Sequence, residues 1–569
     1  MSLTLSLSGL GPFSDRVEQT CRSLQEQRVA ARIVERDHTV WKPDPTEIDN
    51  RLGWLDSPGT MSGELSQIDA LVNAVRADGL THALLLGMGG SSMAPEVFRR
   101  LFGVLPGFLD LSVLDSTDPV AVDNATGSLD PARTLFIAAT KSGGTVETLS
   151  FTKYCYGLAT AAVGQQRAGH QFVAITDPGS GLADLASELN FRHTFLNDPN
   201  IGGRYSALSF FGLLPARLAG VDIERLLAGA GDAARDLAQD GVGVRIGAIM
   251  GAAAVAGRDK LTFITSPTLA PVGVWLEQLI AESTGKQGKG ILPVDGEPVA
   301  TTPEAYGDDR LFLRLRLGQE RCEDAAVEAL IHAGHPVVDL QLDELHEVGN
   351  LMFACEVATV VAGHVLEINP FDQPDVEAAK ILARSMMAAY GKQGRLPTST
   401  PTLETEGIAV YGDTSASTLV DVARQFLDSA GVGAYLSLQA YVPATAEVDT
   451  ILTALRQHVR DGRRLATTTG YGPRFLHSTG QLHKGDAGHG LFLQITCDDE
   501  VDLDIPDEPG STTSAVSFGT LKAAQALGDR QALLDSGRQV LRLHIGGDLA
   551  TGLEKIKAAF SSATHPSAA

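Results

Sequence analysis

Five short stretches of this chain, all between residues 87 and 380, hold side chains able to bind a phosphate or move a proton. The first is Gly87-Met-Gly-Gly90-Ser91-Ser92, between an apolar run and a helical pattern. Glycines there let backbone N–H groups approach an anion, and a helix N-terminus favours negative charge. The stretch has neither the Gly-Lys-Ser/Thr of a P-loop nor the glycine spacing of a dinucleotide fingerprint. A tight strand-to-helix turn would read the same way. The second is Thr140-Lys141-Ser142-Gly-Gly-Thr145-Val-Glu147, again strand to helix. Three hydroxyls, one cation and two glycine amides suit a phosphate monoester without strong net positive charge. Simple helix capping by Ser142 or Thr145 is the alternative.

The third stretch is Ile201-Gly-Gly203-Arg204-Tyr-Ser206, where an arginine beside two glycines can be presented to an oxyanion or can be an ordinary solvated loop residue. The fourth, Glu282-Ser-Thr-Gly-Lys286, ends an apolar helix. It places a carboxylate where a general base could work, or merely at a helix terminus. In the fifth, Asn369-Pro-Phe-Asp-Gln373-Pro-Asp-Val-Glu-Ala-Ala-Lys380, Gln373 and Lys380 lie two helical turns apart and can share a face. The alternative there is a cap by Asp372 and a surface lysine.

These stretches need a scaffold, and the chain predicts one. Short apolar runs at 83–86, 111–114, 135–139 and 172–175 alternate with longer amphipathic ones, as do runs at 261–265, 311–317 and 336–340. Strand–helix alternation of this kind predicts an α/β fold of doubly wound parallel sheets covered by helices on both faces. The expected organisation is an N-terminal segment over 1–60, α/β domains over 61–240 and 241–396, and a C-terminal α/β extension over 407–569. The Ser/Thr/Pro-rich stretch 397–406 reads as a linker, and acidic 498–514 as a surface loop.

Composition narrows the partners. Hydrophobic residues make up 44% of 569, a globular proportion. A net charge of −24 gives no electrostatic footprint for nucleic acid or an anionic membrane. A phosphate-bearing substrate must therefore find local donors. The five cysteines are scattered without CxxC spacing and read as free thiols, with neither a disulfide framework nor a zinc site. Residues 1–14 lack the basic start and apolar run of a signal peptide, and no uncharged apolar run reads as a span. The expected location is cytoplasmic.

Taken in order, the five motifs resemble the phosphoglucose isomerase family. That family carries a Gly-x-Gly-Gly-Ser turn, a Ser-Lys-Ser/Thr loop ending in Thr-x-Glu, Gly-Gly-Arg, Glu-Ser-x-Gly-Lys, and Phe-Asp-Gln-x-x-Val-Glu-x-x-Lys. The resemblance implies two sugar-isomerase-type domains and interconversion of glucose 6-phosphate and fructose 6-phosphate, without metal or cofactor, usually in a homodimer. It implies that Gly90, Ser91, Thr140, Lys141, Ser142 and Thr145 hold the sugar phosphate. Gly203 and Arg204 would face the reacting carbons, Glu282 would move the proton, Gln373 would hold substrate, and Lys380 would assist ring opening.

Two departures stand out. The family usually places a ring-opening histidine, lent by the partner chain, before a strand that follows the base; here that stretch reads Tyr306-Gly-Asp-Asp-Arg310. The chain also runs on well past Lys380, in a manner similar to the isomerase half of fused transaldolase–phosphoglucose isomerases. That extension contains Gly470-Tyr-Gly-Pro-Arg-Phe-Leu-His477-Ser-Thr-Gly-Gln-Leu-His483-Lys-Gly485. Its Gly-Gln-x-His echoes the family's Gly-Gln-His, so His483 is the expected replacement and His477 could do the same; the other alternative is that this loop only packs the extension onto the two main domains and Lys380 opens the ring alone. His332 and His335 read as surface residues and His364 as a helix-packing one.

Overall fold

A computed structural model describes residues 3–564. Three sheets organise it. In the first, parallel strands run in the order Asp110–Leu114, His82–Gly87, Thr134–Ala139, Phe172–Thr176, His193–Leu196. Every residue of Thr134–Ala139 and of Phe172–Thr176 is buried. Strands apolar along their whole length need cover on both faces, and helices supply it. Because His82–Gly87 and Thr134–Ala139 are direct neighbours, the turns that follow them emerge side by side at the carboxyl edge.

The second sheet orders Thr4–Ser8, Val337–Leu342, Arg310–Leu317, Lys260–Thr265 and Leu292–Val294. Thr4–Ser8 pairs antiparallel with Val337–Leu342. The N-terminal segment is thus not separate: it supplies the edge of a sheet whose other strands come more than 250 residues later. Helix Val348–Val365 fills the core between the two sheets and is buried along nearly its full length. Among the described residues it lies in the one stretch long and apolar enough to cross a membrane. Burial against other helices accounts for that composition. Its close neighbour is helix Val242–Val255, where a Cβ on Gly247 would fall 2.5 Å from the Ala358 carbonyl oxygen.

The third sheet orders Leu403–Thr405, Ile408–Tyr411, Gln539–Ile545, Gly490–Cys497, Tyr435–Tyr441 and Ala466–Tyr471, with the last four parallel. Three of the ten residues of the expected linker are therefore strand, since Leu403–Thr405 forms a hairpin with Ile408–Tyr411. One face of this sheet packs an apolar core against helices Leu419–Asp428, Ala446–Arg463 and Leu549–Thr564. The other face is mixed: Ser437, Gln439 and Gln494 are buried there beside Tyr435, Tyr441 and Phe492.

The third unit docks through long polar side chains. Arg464 donates to the Tyr306 carbonyl at 2.6 Å, and Arg456 to that of Asp295 at 2.8 Å. Arg310 is fully buried, pairs with Glu297 at 3.0 Å and also reaches the Leu465 carbonyl. Glu297 in turn accepts from the Thr467 hydroxyl at 2.8 Å. The stretch that lacks the family's histidine is thus an anchor for the extension. Burial would raise the Glu297 carboxyl, but Arg310 and Arg456 outweigh it and hold it below its usual value. Arg310→Met should destabilise the fold by about 3–5 kcal/mol, because it leaves a buried carboxylate without its partner. A lower urea midpoint is the expected readout; an unchanged midpoint would show that Glu297 gains no stability from the pair.

His335 corrects its sequence reading. It is buried, its ring packs edge-on to Tyr306 and Phe312, and burial pushes its pKa down. His332 is exposed as expected, and His364 packs with its Nδ1 2.6 Å from the Val40 carbonyl oxygen. Cys155, Cys322 and Cys355 are buried thiols, while Cys21 and Cys497 are half-buried.

Candidate active site

A cavity of about 550 Å³ lies where the carboxyl edge of the first sheet meets helix Val272–Thr284. All five motifs reach it. Gly90, Ser91, Thr140, Lys141, Ser142, Thr145, Gly203, Arg204, Glu282, Gln373 and Lys380 line it. His483 does not.

One side of the cavity is built by two turns rich in hydroxyls and glycine amides. Thr140 and Thr145 hydroxyls contact each other at 2.8 Å across the second turn. Thr145 stands at the start of helix Val146–Val163, but its side chain makes no capping bond, so the capping alternative fails for it. The first N–H groups of that helix have no intrahelical partner and add positive potential at the same place. Gly143 adopts φ +71°, and a Cβ there would lie 2.6 Å from the Leu182 nitrogen, so the turn needs glycine twice over. Lys141 is held by Asp177 and by the Pro199 carbonyl at 2.8 Å, which fixes its ammonium at the rim.

The first turn is pressed against the third motif. A Cβ on Gly90 would lie 2.0 Å from the Gly203 carbonyl oxygen. Ser206 Oγ donates to that oxygen at 2.6 Å. This contact delivers Arg204 to Glu282. Arg204 is 1% exposed and Glu282 7%, and Nη1 lies 3.7 Å from Oε1. Arg204 is fixed from behind by Ser283 Oγ at 2.7 Å and by the Pro370 carbonyl at 2.7 Å. Gln278, one helical turn before Glu282, donates to Oε2 at 3.1 Å. The carboxylate is therefore gripped on both oxygens. Lys286 closes the assembly by donating to Asp372 Oδ1 at 2.8 Å and to its carbonyl at 2.6 Å. Burial, aided by Arg204, lowers its pKa to about 8. It ties the fourth motif to the fifth and so places Gln373.

The expectation for His483 is corrected. It is 1% exposed, on the inner side of helix Gly480–Gly485, against Phe492 and Phe475 of its own unit. Burial, with Lys484 and Arg538 nearby, pushes its pKa well down. The Gly-Gln-x-His echo is helix, not a turn before a strand. His477, the other histidine of that stretch, lies at the cavity instead. It ends the turn Arg474–His477, lines the cavity, and brings Nε2 to 3.0 Å from Glu147 Oε1. Glu147 is 4% exposed; burial would raise its carboxyl, but His477 and Lys380 leave it lowered. The two groups meet within one chain.

Sequence reasoning missed Glu147, Gln278 and Asp177. Glu147 was visible as the end of Thr-x-Glu, and Gln278 stands i−4 to the base on one helix face. Nothing local marked Asp177, which reaches Lys141 from the next strand's end.

Residues 67–289 match the family model described as phosphoglucose isomerase. A glucose-6-phosphate isomerase of Rubrobacter xylanophilus is 31% identical over 400 residues, covering 61% of this chain and 91% of its own. The chain belongs to the phosphoglucose isomerase family. A Carboxydothermus hydrogenoformans glucose-6-phosphate isomerase is 28% identical over 60% of this family member. A hypothetical protein of Thermus thermophilus superposes with TM-score 0.57 at 26% identity, covering 68% of this chain and all of its own. A glucose-6-phosphate isomerase of Chlamydia trachomatis shares the fold with TM-score 0.56 at 17% identity over 66% of this chain. These relatives thus leave between about a third and two fifths of the present chain unmatched, while the family's parallel-sheet α/β architecture is kept.

Proposed function

We infer that this enzyme interconverts glucose 6-phosphate and fructose 6-phosphate, and we propose the residues that do it. One observation carries the reading. A single cavity joins a hydroxyl-and-amide cradle fit for a phosphate, a carboxylate gripped beside a buried guanidinium, and a histidine–carboxylate pair. An aldose–ketose isomerase needs these three parts at once.

The phosphate anchors on the 140–145 turn and the helix start behind it. His477 exchanges the proton that opens the sugar ring, with Lys380 beside it. Glu282 then takes the proton from C2 and returns it to C1 through a cis-enediol, while Arg204 stabilises the negative oxygen. Because Arg204 is already held by Ser283 and Pro370, no side-chain reorganisation accompanies the charge. No metal or cofactor has a part in this scheme. The expected setting is the cytoplasm, where sugar phosphates are kept, and the expected assembly a homodimer.

The deciding experiment supplies fructose 6-phosphate and couples glucose 6-phosphate formation to its NADP-linked dehydrogenase. Protein-dependent NADPH production is expected. Its absence, with turnover of another ketose phosphate, would overturn the substrate assignment. A narrower prediction concerns the cradle. Thr145→Val keeps the side chain's shape but loses the hydroxyl. It should raise KM about tenfold with kcat changed less, as for a lost hydrogen bond to a charged ligand. An unchanged KM would place the phosphate elsewhere.

A further inference from the structure

The Glu147 carboxylate has a second donor that ring opening as described does not use. Gln525, on helix Phe518–Asp535 of the extension, brings Nε2 to 2.7 Å from the same Oε1 that meets His477. Its other end, Oε1, accepts from the Thr117 hydroxyl at 2.8 Å. We propose that Gln525 and Thr117 are positioning residues for ring opening, which set the Glu147 carboxylate and, through it, the ring of His477.

The chemistry of the groups fixes the direction of every bond. An ionised carboxylate only accepts, so the amide nitrogen of Gln525 must face Glu147 and its oxygen must face Thr117. The Thr117 hydroxyl is then the donor. Thr117, Gln525 and Glu147 are each at least nine-tenths buried, so water does not compete for these bonds. A carboxylate held in one orientation accepts the Nε2 proton of His477 and selects that tautomer. Nδ1 is left as the nitrogen that exchanges a proton with the sugar. Thr117 belongs to the first unit, directly before the helix Pro119–Thr126, and Gln525 to the third. The relay therefore also joins extension and phosphate-binding unit beside the site. Lys522, one helical turn before Gln525, reinforces that seam by pairing with Asp118 at 2.7 Å.

This inference rests on His477 being the ring-opening group, and the test separates the two. Two reactions are compared in Gln525→Leu and Gln525→Glu. One is turnover of glucose 6-phosphate, whose ring must open. The other is deuterium exchange at C2 of erythrose 4-phosphate, which cannot close a six-membered ring. Both variants should lose about tenfold to a hundredfold in kcat on the cyclic substrate, with KM within about twofold and exchange on the open-chain sugar near normal. Thr117→Val, which removes a single hydroxyl, should show the same split more weakly and serves if the Gln525 variants fail to fold. Equal losses in both reactions would show a merely structural contact and overturn the proposal. Normal turnover on glucose 6-phosphate in these variants, with His477→Ala impaired, would overturn it alone. Normal turnover in His477→Ala would overturn it together with the reading beneath it.

Discussion

Glu282→Gln should lower turnover of fructose 6-phosphate by at least ~10²-fold, the low end for a positioned general base. The substitution preserves volume and can keep the contact with Gln278, whose nitrogen lies 3.1 Å from Oε2. It removes the one carboxylate that both lines the cavity and faces the guanidinium of Arg204 at 3.7 Å. KM should move little, because the turn proposed to bind the phosphate, 140–145, is separate from the helix Val272–Thr284 that carries Glu282. The same loss should appear in deuterium exchange from solvent on an open-chain sugar phosphate, since proton transfer follows ring opening. Near-normal turnover would remove Glu282 from the mechanism; loss of exchange with intact isomerisation would contradict the enediol route.

His477→Ala should lower turnover of the cyclic sugar phosphates by about 10²-fold or more and spare exchange on the open-chain sugar. The effect is large because the imidazole sits within hydrogen-bonding reach of a buried carboxylate that has no other histidine beside it among the described residues. The arrangement within one chain gives a second readout. Chains carrying Glu282→Gln and chains carrying His477→Ala, mixed or co-expressed, should stay inactive together, since each cavity draws both groups from one chain. Recovered activity in the mixture would show that the extension serves a neighbouring subunit. His483→Ala, by contrast, should affect stability through lost packing against Phe492 and Phe475 rather than the ring-opening split.

The five motifs were legible because their chemistry is local. Thr140 to Thr145 and Glu282 to Lys286 are contiguous, and glycines within them report turns that only glycine adopts, as Gly143 does. The parallel-sheet character was legible as well, because strands buried on both faces must be apolar along their whole length. Strand Thr4–Ser8 was hidden for the opposite reason. Its alternation is compatible with a loop, and its partner Val337–Leu342 is far away in sequence. Strand Leu403–Thr405, inside the stretch read as linker, was missed in the same way, since three residues leave little pattern.

What the sequence by itself determined is the set of groups available: a hydroxyl-rich glycine turn, an arginine, a carboxylate at a helix end and a lysine, in the order of one enzyme family. What only the tertiary structure decided is which histidine reaches the cavity they line. His477 and His483 lie six positions apart in the same glycine-rich stretch, both with plausible neighbours. The choice depends on how the extension seats on the first two units. Arg310, Arg456 and Arg464 fix that seating, and it turns one ring toward Glu147 and buries the other against its own sheet. Partners brought together across hundreds of residues leave no spacing to read. Their meeting is a property of packed surfaces, and local sequence pattern does not encode it.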